Sequence, residues 1–406
     1  MQKGFIDSLI ARNDTPAIYR VNETDLRFWK DRIQPGNPGL VSELRYASCL
    51  VQRFHLRGDI QDLVTADSIL RKTDLVYAHK EVSPVLALIR NCILRHRFKE
   101  ADSLLQAAKK LDVKPYDAIS TSFDVAFELG QYLLAETGLR KIADRTDYGY
   151  NFRYARQAHY KGELDSSIDA MLRAAAIAGD NIILQQAALS NAADLCLHSG
   201  NLQKAYELYG RSVRLSNADL HSLMGIGWIA LVHDGNDSMA ERIFRSVQAR
   251  TQSPDVLLRL EQVAEKRGDS ARQMKYARQF ESIVTRPVYG NMYNKYLVEL
   301  YTGILNDPLK AETIARKELA NRSTPQTYAW YAWALYTNHK TADAQNIYDQ
   351  YVSGKPLEGL ELYWMGMLMK GQGKGYNAQS YFKAAYKNRY DLGPGIVNDL
   401  ELKPGN

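Results

Sequence analysis

The clearest cluster of reactive side chains in this sequence is polar and lies near its middle. Arg153, Arg156 and His159 follow one another at intervals of three, which places them on one face of a helix, and Asn191 is predicted on a neighbouring helix. Such a group suits a carboxylate or an acidic peptide, which it would hold through charge-assisted hydrogen bonds. The alternative is a solvated helix face, or an arginine paired with Asp124 or Asp194.

No nucleophile or metal-binding pattern accompanies this cluster. The sequence has no HExxH, GxSxG, Walker or CxxC motif. Cys49, Cys92 and Cys196 each lie in an apolar helical stretch, where a free cysteine usually packs as a small hydrophobic residue. We therefore predict no enzymatic activity, no catalytic residue, no metal and no cofactor. An enzyme built on His159 with the two arginines is the weaker alternative.

A second cluster is aromatic and lies in the C-terminal third of the chain. Residues 328–336 contain five aromatic side chains, and Trp330 and Trp333, three apart, share a helical face. Tyrosine and tryptophan are favoured at interfaces because they bury a large area at low entropic cost. The alternative is that the rings fill a closely packed core. The candidate residues are Trp330, Trp333, Tyr336, Tyr363, Trp364, Tyr293 and Tyr296.

The elements that carry both clusters are marked by a turn that recurs every 32 to 38 residues. Glycine permits the positive φ that reverses a chain between two helices. Ten turns of this kind predict ten helix–turn–helix units. The turns begin at Gly58, His96, Gly130, Gly162, Gly200, Gly235, Gly268, Asn306, His339 and Gly373.

Two positions after each turn fix the packing of these helices. Five residues after the turn stands a small or apolar side chain, alanine in seven units of ten, which lets two antiparallel helices approach closely. Four residues later a large apolar side chain usually follows. Four prolines mark the links between units, where proline starts a helix without losing a needed N–H. They are Pro115, Pro254, Pro287 and Pro325.

This pattern resembles the tetratricopeptide repeat over residues 42–392. The unit from Met224 to Pro254 matches best, with Gly235, Ala240 and Phe244 in the family register. The resemblance implies an all-α, right-handed superhelical solenoid of about ten units. It also implies that the first helix of each unit lines a concave groove for a peptide, a helix or a partner protein, which places both clusters in that groove. The carboxylate clamp of chaperone adaptors is not reproduced.

We divide the chain into N-terminal capping helices (1–41), the repeat array (42–392) and a C-terminal tail (393–406). The net charge of +6 arises from 52 basic and 46 acidic residues that are mixed along the chain, which disfavours nucleic acid as a partner. No run of 18 apolar residues occurs, so we expect no integral membrane segment.

The sequence therefore predicts a non-enzymatic scaffold that binds a protein or peptide partner. The alternative is an exported bacterial envelope assembly or regulatory factor whose signal peptide is absent from this sequence. The chain is expected in the cytoplasm as it stands, or in the periplasm or outside the cell in the alternative. Homo-oligomerisation stays open, since the exposed aromatic ends of solenoids can self-associate.

Overall fold

The computed structural model describes residues 3–11, 16–34, 39–373 and 378–402. Within these ranges the chain forms helices and no strand. The α-helices are α1 (Lys3–Ile10), α2 (Ala17–Lys30), α3 (Leu40–Arg57), α4 (Ile60–Val76), α5 (Val82–Leu94), α6 (Phe98–Ala108), α7 (Pro115–Glu128), α8 (Tyr132–Lys141), α9 (Tyr148–Tyr160), α10 (Leu164–Ile177), α11 (Ile182–His198), α12 (Leu202–Leu215), α13 (Leu220–Val232), α14 (Asp237–Gln248), α15 (Asp255–Lys266), α16 (Ser270–Val284), α17 (Asn294–Thr302), α18 (Pro308–Asn321), α19 (Pro325–Thr337), α20 (Thr341–Ile347), α21 (Gly359–Gln372), α22 (Ala378–Lys387) and α23 (Pro394–Glu401). Short 3₁₀ helices cover Pro287–Tyr289 and Arg389–Asp391, and a π-helical turn covers Tyr348–Val352.

Helices α3 to α22 form ten consecutive antiparallel pairs, joined at the ten predicted turns. All seven predicted turn glycines have positive φ. The three replacements do too: His96 at 51°, Asn306 at 48° and His339 at 62°. Asparagine and histidine are among the non-glycine residues that enter this region most often. The prediction of ten helix–turn–helix units is therefore confirmed; of the tenth turn, Gly373 is described and Lys374 lies outside the described residues.

The predicted packing positions lie in the seams between helices. Eight of the ten small positions are at most 1% exposed. Gly225 and Gly227 on α13 let two large seam residues lie against the backbone, because a Cβ there would lie within 2.4 Å of the Tyr209 ring and 2.6 Å of Phe244. In the first unit the position of the large apolar residue is occupied by a carboxylate: Asp67 is 7% exposed and binds Arg71 and Arg97.

The three longest intervals have two different structural causes. These intervals, of 38 residues each, follow the first, fourth and seventh turns. Helices α4 and α11 are each 17 residues long, which lengthens the intervals after the first and fourth turns. The third contains the 3₁₀ helix that starts at Pro287, and α17 begins only at Asn294. Pro115 and Pro325 start α7 and α19 as predicted, whereas Pro287 starts a short link and no long helix.

The array coils so tightly that its second half stacks on its first. Thr251 Oγ1 donates to Arg57 O over 194 residues at 3.0 Å. Arg95 donates to Val288 O over 193 residues at 3.2 Å, and Arg322 binds Glu128 over 194 residues at 3.2 Å. The turns of units one, two and three thus touch the links that join units six to seven, seven to eight and eight to nine. We call this line of contacts the inter-turn seam.

The two ends of the chain also pack on the array. Helix α2 lies against α3, and Asn22 Nδ2 donates to Cys49 O at 3.0 Å. Helix α23 lies against α15 and α22, and its Leu400 is fully buried. No helix in the described ranges is long and apolar enough to span a membrane.

A candidate binding lumen

The coil encloses two connected cavities. The larger, of about 890 Å³, lies between the first helices of units four to ten; we call it the central chamber. The smaller, of about 780 Å³, lies between the turns of units two to four and the starts of α17, α19 and α21; we call it the side chamber. Together they form the lumen. Both are lined by Arg156, His159, His198, Lys295, Tyr296 and Glu358.

The side chamber is a gap in the inter-turn seam. A Cβ on Gly58 would lie 2.6 Å from Ser253, and one on Gly130 would lie 3.1 Å from Thr324. At the fourth turn no atom of the described residues lies within 4 Å of the same position on Gly162. The seam therefore opens at unit four, and the residues around Gly162 line the chamber.

The arginines of the predicted polar cluster are held by carboxylates. Arg153 Nη2 lies 2.6 Å from Asp124 Oδ2, and this side chain lines neither chamber. Arg156 Nη2 lies 2.6 Å from Glu128, and its guanidinium sits 4.6 Å from the centre of the Phe127 ring. Arg156 lines both chambers, so the structure brings one of the two arginines to the lumen.

The other two members of that cluster lie in the lumen wall. Asn191 lines the central chamber and donates to Ala187 O at 2.8 Å. The ring of His159 stands edge-on to His198 at 4.9 Å, and burial lowers the pKa of His159. Burial acts in the same direction on His198, but the hydrogen bond to Asp391 and the charges of Asp391 and Glu358 together outweigh burial and raise that pKa.

The three predicted tryptophans are mostly buried and form one wall of the lumen. Trp330 is 4% exposed and donates to Glu361 Oε1 at 2.7 Å. Trp333 donates to Thr302 Oγ1 at 3.0 Å and stacks on Trp364 at 6.0 Å. These contacts join α17, α19 and α21, so the rings are core residues that also present an edge to the chambers.

The four predicted tyrosines divide into two pairs. Tyr296 is 40% exposed and lines both chambers, and Tyr363 lines the central chamber. Tyr293 and Tyr336 line neither. Tyr293 lies just before α17 and packs edge-on against Phe280, while Tyr336 stacks on Trp333 at 5.6 Å.

A group of carboxylates in the central chamber was missed in the sequence. The group is Glu261, Glu265 and Glu299. Burial, with the charges of Glu265 and Glu299, raises the pKa of Glu261 to about 8. Burial also raises the pKa of Glu299 to about 7, assisted by Glu265 and Glu361. The pKa of Glu265 is raised by burial as well. In the sequence their spacing is that of a solvated helix face, and only the coil brings α15 and α17 together around a cavity.

The sequence analysis also missed the aromatic floor of the side chamber. Tyr132 stacks on Tyr160 with 3.7 Å between ring centres, and Phe127 stands edge-on to both at 5.2 and 6.1 Å. The three side chains come from two different units: Phe127 and Tyr132 lie on either side of the third turn, and Tyr160 lies just before the fourth. Their separation along the chain left no local pattern to find.

Comparison with known proteins yields structural neighbours only. No family model matches the sequence, and no curated protein matches it. Human IFIT1, solved as a dimer with m7Gppp-AAAA, is 13% identical over 94% of this chain and 99% of its own, with a TM-score of 0.44. A tetratricopeptide repeat protein from Parabacteroides merdae is 15% identical over 70% of this chain and 97% of its own, at 0.36. PilF from Pseudomonas aeruginosa is 16% identical over 53% of this chain and 97% of its own, with a TM-score of 0.38.

At these identities and scores the likeness does not extend to function. The architecture rests on the chain itself, in the part that the structure describes. Ten helix–turn–helix units follow one another there, with positive φ at every turn and small residues in the seams. In its described ranges this protein is an all-α solenoid of ten helix–turn–helix units, whose pattern resembles the tetratricopeptide repeat.

Proposed function

We propose that this protein is a non-enzymatic scaffold whose lumen receives an extended peptide segment of a partner protein. Chambers of about 890 and 780 Å³ fall in the usual range for ligand sites. An α-helix with its side chains is about 10–12 Å across. The inner faces of α11 and α15 already carry residues 389–401, which favours a slimmer, extended occupant.

The observation that carries this proposal is the path of the chain's own C-terminal segment. It crosses the inner side of the coil as the 3₁₀ helix Arg389–Asp391 and helix α23, and side chains of the lumen wall bind its main chain in both. Trp228 Nε1 donates to Tyr390 O at 2.6 Å, and Gly395 N donates to Glu265 Oε2 at 3.0 Å. The same inner surface thus recognises peptide groups through side chains that also line the central chamber.

The chemistry of the lumen supports binding over catalysis. His221 and His198 bond to Asp194 and Asp391, and among the described residues no serine or cysteine side chain donates to either ring. Ser167, which lines the chamber, donates to Ala155 O instead. A hydrolytic nucleophile needs an adjacent base, so these contacts favour a scaffold.

Site-specific photo-crosslinking in the native host tests the proposal. A photoreactive phenylalanine analogue replaces Tyr296, which lines both chambers, or Tyr351, which lines neither. Both tyrosines are 40% exposed, so the pair is matched in residue type and exposure. We expect one partner protein to be captured from position 296 only, through a short segment that mass spectrometry identifies. Equal capture from both positions, or capture from 351 alone, would reject a lumen site.

A further inference from the structure

Three buried side-chain oxygens in the wall of the side chamber have no hydrogen-bond partner in the described part of the chain. They are Asn291 Oδ1, Gln326 Oε1 and Glu361 Oε2. All three are acceptors, and they lie at or near the starts of α17, α19 and α21. A buried polar group without a partner costs about 1–3 kcal/mol, and a charged one costs more. These three acceptors therefore lack a donor in the described part of the chain.

Glu361 is the most informative of the three. An amide can exchange its oxygen and nitrogen by a half-turn, whereas a carboxylate has no donor to offer. Glu361 is 0% exposed. Its Oε1 accepts from Trp330 at 2.7 Å and lies 3.0 Å from Lys295 Nζ, which leaves Oε2 alone.

The cations of the chamber are already engaged. Lys295 serves two carboxylates, because its Nζ also lies 3.6 Å from Glu358. Arg156 and Arg322 both bind Glu128, and Lys161 binds Glu136 at 2.8 Å. A ligand that satisfies the free acceptors must bring its own donors, and a hydrogen bond to the Glu361 carboxylate is strongest from a donor that is itself charged.

Charge in the adjoining chamber points the same way. The carboxylate of Glu299 makes no hydrogen bond or ion pair with another described residue, and the charges of Lys295, Glu265 and Glu361 all act on it. Arg259, the other cation on this wall, lies 4.1 Å over the Trp228 ring and bonds to Gln262. The central chamber, which adjoins the side chamber, is thus lined by more carboxylates than cations.

The aromatic floor selects the kind of cation. The stacked rings of Tyr132 and Tyr160, with Phe127 beside them, form an aromatic surface in the chamber wall. A guanidinium is planar, stacks on such rings and presents five N–H donors, whereas an ammonium is a compact charge with three. Arg156, which lies over Phe127, provides an internal example of this contact.

We propose that the side chamber binds the guanidinium group of an arginine side chain. The arginine would be carried by the peptide segment that the lumen receives, so this site rests on the proposed function. Glu361, Asn291 and Gln326 would accept its N–H groups, and the Tyr132–Tyr160 pair would contact its face.

Calorimetric titration of the full chain with three capped pentapeptides tests this site. The peptides are Gly-Gly-Xaa-Gly-Gly, where the central residue is arginine, its neutral isostere citrulline, or lysine. We expect the arginine peptide to bind at least tenfold more tightly than the citrulline peptide, with lysine between them. Equal affinity of the arginine and citrulline peptides, or no saturable binding of the arginine peptide, overturns the proposal.

Variants then locate the site. Glu361→Gln keeps an oxygen for Trp330 and removes the charge, so it should weaken the arginine peptide about tenfold and leave the citrulline peptide unchanged. The control is Glu241→Gln, whose carboxylate pairs with Arg267 and lines neither chamber. Tyr160→Leu, which removes the stacked ring, should weaken the arginine peptide too, and serves if the first variant does not fold. Unchanged binding in the folded variants overturns the proposal.

The two proposals can fail separately. If position 296 captures a partner segment without arginine, or the titration fails, the scaffold stands and the guanidinium site is rejected. If the arginine peptide binds in a manner that depends on Glu361, while position 296 captures nothing, the site is kept and the scaffold role is rejected.

Discussion

The closed part of the inter-turn seam and the gap at unit four are built from the same repeat, yet they treat polar groups in opposite ways. In the closed part, Asn321 donates to His96 O at 2.9 Å and accepts from Phe98 N at 3.1 Å, so both ends of its amide are used. In the gap, Gln326 and Glu361 keep buried oxygens without donors. The Asn321 amide is thus satisfied across the closed seam, whereas the gap leaves two buried oxygens without a donor from the described residues.

The difference arises from what lies about 194 residues after each turn. Small side chains, Ser253 and Thr324, meet the first and third turns at close range. Opposite the fourth turn, α20 ends in the π-helical turn Tyr348–Val352, and the link 353–358 that follows borders the chamber. Single π-helical turns inside α-helices often occur at functional sites. A local change in one link thus opens a binding space without altering the turn that faces it.

Removing a tryptophan from the wall of the gap should have the largest effect on stability. Trp330 is 4% exposed and hydrogen-bonded, so Trp330→Ala should lower the free energy of unfolding by about 3–5 kcal/mol. Tyr296→Ala, at a ring that is 40% exposed in the same lumen, should change it by less than about 1 kcal/mol. Denaturant unfolding measures both. Equal losses would mean that the two rings do not differ in burial.

The pH dependence of stability should separate the lumen from the outer surface. The pKa of Glu261 is raised to about 8, above its ordinary value of 4.5, so its stabilising contribution is complete below 4.5 and is lost as pH rises through 8. Between pH 6.5 and 9 this loss should be about 2 kcal/mol. Glu299, with a pKa of about 7, His198 and His221, whose pKa is raised to about 9, act in the same direction.

Thermal melting between pH 6.5 and 9 measures this effect, and two variants assign it. Glu261→Gln should flatten the decline. Glu241→Gln should not, since its ion pair with Arg267 lowers the pKa of Glu241 and its contribution is constant in this window. A decline that is unchanged in Glu261→Gln would show that this carboxyl is ionised throughout, and that the lumen is as well solvated as the outer surface.

The units were predictable from the sequence because each leaves a local mark. Positive φ at His96, Asn306 and His339 follows from the period alone, even without glycine. The path of the coil was not predictable, because it accumulates from small rotations between units and joins residues 194 positions apart. The repeat pattern does not indicate which link between units will contact which turn.

The same limit explains the errors at the site. Tyr293 and Tyr296 are three residues apart, a spacing that would place both on one helical face toward the lumen. However, α17 begins only at Asn294, and the Tyr293 ring packs against Phe280 instead. Lys295 and Glu299, four apart, have the spacing of an ordinary helical ion pair. In the folded chain Lys295 binds Glu361 and Glu358 instead, which leaves Glu299 in the chamber.

A smaller but more direct test compares two turn glycines. Gly58 has φ of 72° and Gly162 has φ of 79°, so alanine at either position meets a left-handed backbone at a cost of about 1–2 kcal/mol. At Gly162 that is the whole cost, because nothing lies within 4 Å. At Gly58 the new methyl group would lie 2.6 Å from Ser253 N, where backbone must move.

Gly58→Ala should therefore destabilise the chain by about 1 kcal/mol more than Gly162→Ala, since the clash adds to the same backbone strain. Denaturant unfolding gives the difference, and small-angle scattering of Gly58→Ala should report a longer molecule if the seam parts. Two equal losses with unchanged dimensions would mean that the first turn is as open in solution as the fourth. The gap at unit four would then be no different from the other turns of the coil, and its unpartnered oxygens would not indicate a binding site.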